Sequence, residues 1–218
     1  MSLFEKYRPS NWGQVVGQDF AIKTIARLRS SGGLGGRAFF LSGPSGSGKT
    51  TIGRLIAREL ASEIGTDELD SSEVTAEWIR SVRDNQCQRV FGNPSGRAFL
   101  VNEVHSLRND SITRMLTLLE PIPPHVVWVF TTTQSAKADL FGEKTDSHPF
   151  LSRCMEIELT TTNTAQYAAR LKQIAETENL DGRPLSDYEK LLRKCAGNMR
   201  KSLNEIERGL MLNKLAVI

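Results

Sequence analysis

Eight consecutive residues, Gly43-Pro44-Ser45-Gly46-Ser47-Gly48-Lys49-Thr50, combine three glycines, one ammonium and one hydroxyl at the spacing G-x-x-x-x-G-K-[ST]. Glycines at 43, 46 and 48 let the main chain curl around an anion with successive N–H groups pointing inward. A helix starting near Lys49 aims the positive end of its dipole at the same point. Lys49 then reaches the β- and γ-phosphates, and the Thr50 hydroxyl takes one position on Mg²⁺. The expected nucleotide contacts run from Gly43 through Thr50 to Thr51.

Such a loop works only between a strand and a helix, and the flanks supply both. Ala38 to Leu41 is an apolar run of strand length, and Thr51 to Leu60 has helical spacing without proline. Upstream, Asp19 to Arg29 reads as a helix, ended by the glycine-rich Ser30 to Gly36. Downstream come a short strand edge at Glu68 to Asp70 and a helix at Glu77 to Cys87 started by Ser72 and Thr75. An apolar strand ending in polar groups follows, Arg97 to Glu103, then a helix capped by Asp110 and stopped at Pro121. Val126 to Phe130 is a further buried strand, followed by the polar set Thr131 to Gln134; Gln134 to Ser147 is irregular. Met155 to Leu159 is a short apolar segment. Thr164 to Glu178, Ser186 to Cys195 and Arg200 to Leu215 have helical periodicity.

Strands alternating with helices imply a parallel sheet flanked by helices, with a small all-helical domain after it, and the motif at Gly43–Thr50 makes the expected α/β fold that of a P-loop NTPase. The expected boundary divides residues 1–158 from 159–218. Polar residues gathered at strand carboxyl ends put the site on one edge of the sheet.

A chain of 218 residues with 39% hydrophobic content sustains this arrangement, and a net charge of +3 is too mild to demand a nucleic acid. Cys87, Cys154 and Cys195 lie far apart, which argues against a zinc site or a disulfide framework. No signal peptide and no apolar run of about 18 residues is present, so a reduced cytoplasm and no membrane partner are expected. His105 reads as structural, and Trp12, Trp78 and Trp128 form no stacking stripe for single strands.

Several pieces together resemble the clamp-loader branch of the AAA+ ATPases, the replication factor C and bacterial clamp-loader type. They are Glu5-Lys6-Tyr7-Arg8-Pro9 with Val15-Val16-Gly17-Gln18, Ser152-Arg153-Cys154, and Gly197 to Asn204. The resemblance implies that Tyr7, Arg8, Pro9 and Val16 form the adenine pocket, although Tyr-Arg-Pro also reads as a latch packed on the sheet. It puts Asn102-Glu103 at the Walker B position, with Glu103 polarising the attacking water. Asn102 replaces the usual aspartate near the Mg²⁺ water shell; an amide accepts a hydrogen bond there but adds no charge, so binding is expected to survive better than hydrolysis. Thr133 is the expected sensor 1, with Thr132 close behind. Arg153 is the expected arginine finger into a neighbouring subunit, and Arg200 the sensor-2 contact to phosphate.

What the resemblance implies as a whole is an ATP- and Mg²⁺-dependent oligomeric switch in DNA replication or repair. It would work with other AAA+ subunits, and with DNA or a DNA-bound protein such as a sliding clamp. A regulatory or scaffolding ATP-binding protein with little turnover is the alternative, and an ATPase of transposition or secretion type is a further one. Clamp-loader subunits continue into a third, collar domain, and this sequence ends at Ile218, so it is expected to be either truncated or a minimal relative.

Overall fold

The computed structural model describes residues 1–133, 149–161 and 163–212. The irregular segment expected from Gln134 to Ser147, and residues 213–215 of the stretch expected as a final helix, lie outside the described residues. Contacts group the chain into two units: one holds Phe20–Gly43 and Lys49–Glu158, the other Met1–Asp19, Pro44–Gly48 and Leu159–Ile218.

In the first unit five strands, β1 (Arg37–Ser42), β2 (Thr66–Asp70), β3 (Arg97–Asn102), β4 (Val126–Thr132) and β5 (Met155–Glu158), form one sheet in the order β2-β3-β4-β1-β5. Every neighbouring pair is parallel. Parallel neighbours need crossovers, and α3 (Lys49–Leu60), α4 (Ala76–Asn85) and α5 (Asn109–Leu116) lie within them. The helix α2 (Asp19–Ser30) precedes β1.

Side chains alternate across the strands, and the two faces take different partners. Phe40, Phe99, Val101, Trp128 and Phe130 share a core with Ile79 and Val82 of α4 and Ile112 and Met115 of α5. Rings stack within it, Phe99 on Trp128 at 4.5 Å between centroids. On the opposite face Gly53 of α3 sits so close to the sheet that a β-carbon there would lie 2.8 Å from Leu100 and 3.1 Å from Val129. This close fit brings the helix next to the sheet at its polar end.

The second unit is helical. Helices α6 (Thr164–Thr177), α7 (Leu185–Lys194) and α8 (Met199–Glu207) pack Tyr167, Leu171, Tyr188, Leu192 and Ile206 together. The short α1 (Leu3–Lys6) adds Leu3, with Phe4, Tyr7 and Val16 against the same cluster.

Three expectations change. The final helix, expected from Arg200 to Leu215, ends at Glu207 and gives way to turns. The strand expected to stop at Phe130 continues through Thr131 and Thr132, both fully buried, because β-branched residues suit a pleated, enclosed strand. Asp110 does not cap α5: Arg108 holds that position, and Asp110 accepts from Arg114 Nε at 2.9 Å one turn later.

Candidate functional site

In the sheet unit the site is built where the carboxyl ends of β1, β3 and β4 meet the first turn of α3. Residues Thr50, Gly53 and Arg54 lie three and four apart, so they form one stripe on the helix. Thr50 Oγ1 donates to Asn102 Oδ1 at 3.2 Å, and Gly53 lies over Leu100. Arg54 donates twice to Glu68 of β2, from Nε to Oε2 at 2.6 Å and from Nη2 to Oε1 at 2.9 Å. That bidentate pairing raises the guanidinium pKa above its ordinary value. Asn102 is 9% exposed and engaged at both ends of its amide: Thr131 Oγ1 also donates to its Oδ1 at 3.0 Å, and its Nδ2 donates to Glu68 Oε1 at 3.1 Å.

Glu103 follows in left-handed backbone, with φ 53° and ψ 46°. Its N–H donates to Thr131 Oγ1 at 3.4 Å, and its half-exposed carboxylate stands 3.4 Å from His105 Nδ1. The same ring nitrogen is 3.2 Å from Thr132 Oγ1. Lys49 is buried and donates from Nζ to the Gly43 carbonyl at 2.9 Å. Thr133 lies half-buried directly past the end of β4. Arg153 turns back on its own chain, with Nη1 donating to the Pro149 carbonyl at 2.7 Å and Nη2 3.1 Å from Glu120.

In the helical unit, loop residues 44–48 carry their own fittings. Gly46 has φ 77°, and a β-carbon there would lie 2.2 Å from Asn198 Oδ1. That same oxygen caps α8 by accepting from Lys201 N–H at 3.0 Å. Ser47 Oγ is buried, and among the described residues it meets no hydrogen-bond partner. The buried Gln18 amide holds the Ser47 carbonyl at 3.1 Å, the Thr160 carbonyl at 2.7 Å and the Tyr167 hydroxyl at 2.8 Å. Gly17 beside it has φ 73° and lies so near the Tyr167 ring that a β-carbon would come within 2.6 Å. These contacts give the Val-Gly-Gln segment its physical reason.

Tyr7, Arg8, Pro9 and Val16 are all half-buried. The Tyr7 hydroxyl donates to Glu178 Oε1, which also accepts from Lys6 Nζ at 2.7 Å. Arg200, exposed at the start of α8, lies 5.2 Å from the centre of the Phe4 ring.

The structure thus gathers Thr50 and Asn102 of the expected set at one point, with Glu103 next in the chain. It adds three residues that sequence reasoning did not assign: Thr131, Glu68 and Arg54. His105, read as structural, stands against the Glu103 carboxylate. The available signal for Thr131 was strand period, since it shares the face of Val129, and for Arg54 the helical spacing from Thr50.

Comparison with known proteins matches residues 39–144 to the ATPase family associated with various cellular activities (AAA). DNA polymerase III subunit gamma of Buchnera aphidicola is 30% identical over 97% of this chain and 62% of its own length. The tau subunit of Escherichia coli is 28% identical over 93% of this chain and 33% of its own. The chain therefore spans less than two thirds of either relative. The Holliday junction branch migration motor RuvB of Thermotoga maritima has the same fold, with a TM-score of 0.70 at 18% identity over 93% of this chain and 64% of that one.

Proposed function

We propose that this chain, an AAA+ module homologous to the clamp-loader gamma and tau subunits of DNA polymerase III, binds ATP with Mg²⁺, hydrolyses it, and acts as a nucleotide-driven oligomeric switch in DNA replication or repair. The observation that carries the reading is the meeting of Thr50 with Asn102 at 3.2 Å, which joins the glycine-rich loop's own hydroxyl to the strand that ends in Glu103. A cation binder needs oxygen donors, and the two here are a hydroxyl and an amide. Among the described residues no three His, Cys, Asp or Glu side chains gather to hold a metal. That donor set fits Mg²⁺ brought in by the triphosphate, which satisfies most of its coordination with phosphate oxygens and water. Bound there, Mg²⁺ would neutralise charge on the phosphates.

The residues then divide the work. Lys49 leaves the Gly43 carbonyl for the β- and γ-phosphates, and the Ser47 Oγ turns to a phosphate oxygen. Glu103 takes the proton of the attacking water, with His105 beside it to hold the carboxylate. Thr133 contacts the γ-phosphate or that water, and Arg200 reads the phosphate from the helical domain, residues 159–218. Tyr7, Arg8, Pro9 and Val16 line the adenine. Arg153 leaves Glu120 to reach a neighbouring subunit, so other AAA+ subunits are the immediate partners, and DNA or a DNA-bound protein such as a sliding clamp the more distant ones. The cytoplasm is the proposed compartment.

The test separates binding from turnover. Lys49→Ala is expected to weaken ATP binding by about 10- to 100-fold, the worth of one or two charge-assisted hydrogen bonds. Glu103→Gln is expected to keep binding and lose about 100-fold or more in hydrolysis. Wild-type chain that takes up ATP in calorimetry but turns none over, with or without DNA, would favour the scaffolding reading that Asn102 raises. Wild-type chain that takes up none would end both.

A further inference from the structure

We propose that Glu68 is a positioning residue that decides which end of the Asn102 amide faces the metal. The inference rests on the ATP–Mg²⁺ reading and deepens it at one atom. An aspartate has two equivalent oxygens, so either orientation presents an acceptor. An asparagine has one oxygen and one NH₂ group, and turning it over replaces an acceptor by a donor. At a site where metal-bound waters and the Thr50 hydroxyl all donate, the wrong end would repel them.

The structure contains the device that prevents this. Glu68 Oε1 lies 3.1 Å from Asn102 Nδ2, and an acceptor-only carboxylate tolerates only the NH₂ end there. Oδ1 is left to Thr50 at 3.2 Å and Thr131 at 3.0 Å. Register explains the reach: Asp70 pairs with Asn102 and Glu68 with Leu100, so Glu68 approaches Asn102 diagonally, on the sheet face that meets α3. Arg54, bonded twice from the helix above, fixes the Glu68 carboxylate. Charge absent from β3 is thus present on the strand beside it.

Exchange of the two side chains tests the pairing. Glu68→Gln is expected to raise the Mg²⁺ concentration at half-maximal binding of a fluorescent ATP analogue by about 10-fold, the usual scale for losing a group that orients a metal's surroundings. Binding of the same analogue in EDTA is expected to stay within twofold. Asn102→Asp sets two carboxylates in contact and is expected to lower the melting temperature of the nucleotide-free chain. The double variant Glu68→Gln, Asn102→Asp restores donor to acceptor and is expected to recover both that temperature and the Mg²⁺ midpoint. Arg54→Gln, which frees a carboxylate that stays in place beside Asn102, is expected to raise the midpoint by clearly less than Glu68→Gln does.

An unchanged midpoint in Glu68→Gln would overturn the proposal, as would melting effects that add instead of cancelling. So would an Arg54→Gln variant as impaired as Glu68→Gln. The melting cycle needs no nucleotide, so it judges the pairing even if the ATP reading fails.

Discussion

Thr131 both donates to Asn102 and accepts from the Glu103 N–H, so one buried hydroxyl ties the two residues together. Thr131→Val keeps the shape and deletes the oxygen, leaving a part-buried N–H and half of an amide's acceptor capacity unanswered. The expected cost is about 1–3 kcal/mol in urea denaturation, with slower ATP turnover, and Thr131→Ser is expected to retain most of both. A valine variant as stable and active as wild type would remove Thr131 from the site. The residue also marks the limit of what the sequence disclosed. Lys49 and Thr50 were legible as candidates because the motif that names them occupies adjacent positions. Thr131 was not, since an apolar strand reads as finished where its polar residues begin, whereas here the strand carries its last two residues, Thr131 and Thr132, into the site. Glu68 was hidden for a different reason: an edge strand spelled Thr-Asp-Glu-Leu-Asp gives little alternation, and only register brings it to Asn102.

Among the elements, α3, α6 and α7 were readable to within a residue or two, whereas α8, read as far as Leu215, ends at Glu207. Caps were less legible, because the same residue types serve inside a first turn; Thr75 does cap α4 by accepting from Trp78 N–H at 3.1 Å, while Asp110 pairs within α5. The cap of α8 joins an element to the glycine-rich loop, since the Asn198 oxygen that accepts from Lys201 is also what excludes a β-carbon at Gly46. Asn198→Ala is expected to lower stability by about 1 kcal/mol through the lost cap, measured by chemical denaturation. Asn198→Asp or Asn198→Ser, which keep an acceptor, are expected to cost far less; equal losses in all three would mean that the side chain acts by packing instead.

Over the whole molecule, the grouping of residues 1–19 and 44–48 with the last helices is a matter of contacts between distant segments, which no local pattern spells out. The helical unit also carries a pH signature. Burial alone pushes the Asp181 carboxyl up, but hydrogen bonds from Lys172, Tyr188 and the Arg183 N–H outweigh it and leave the group below its ordinary value. The Lys190 hydrogen bond does the same for Asp187, and Lys6 followed by Tyr7 for Glu178. A depressed carboxyl stabilises the fold fully above its unfolded pKa of about 4 and loses that stabilisation as pH falls through the lower, folded value. Thermal melts from pH 7 to 3 are therefore expected to decline below about 4, and Asp181→Asn to melt lower at pH 7 with a shallower acid decline; parallel curves would refute this. One further burden falls on the entire chain. Glu103 holds a left-handed backbone that costs a side-chain-bearing residue about 1–2 kcal/mol and glycine almost nothing. Laboratory evolution rewarding heat resistance alone would drift toward glycine at that position, and its hardiest descendants would be those that had given up the carboxylate.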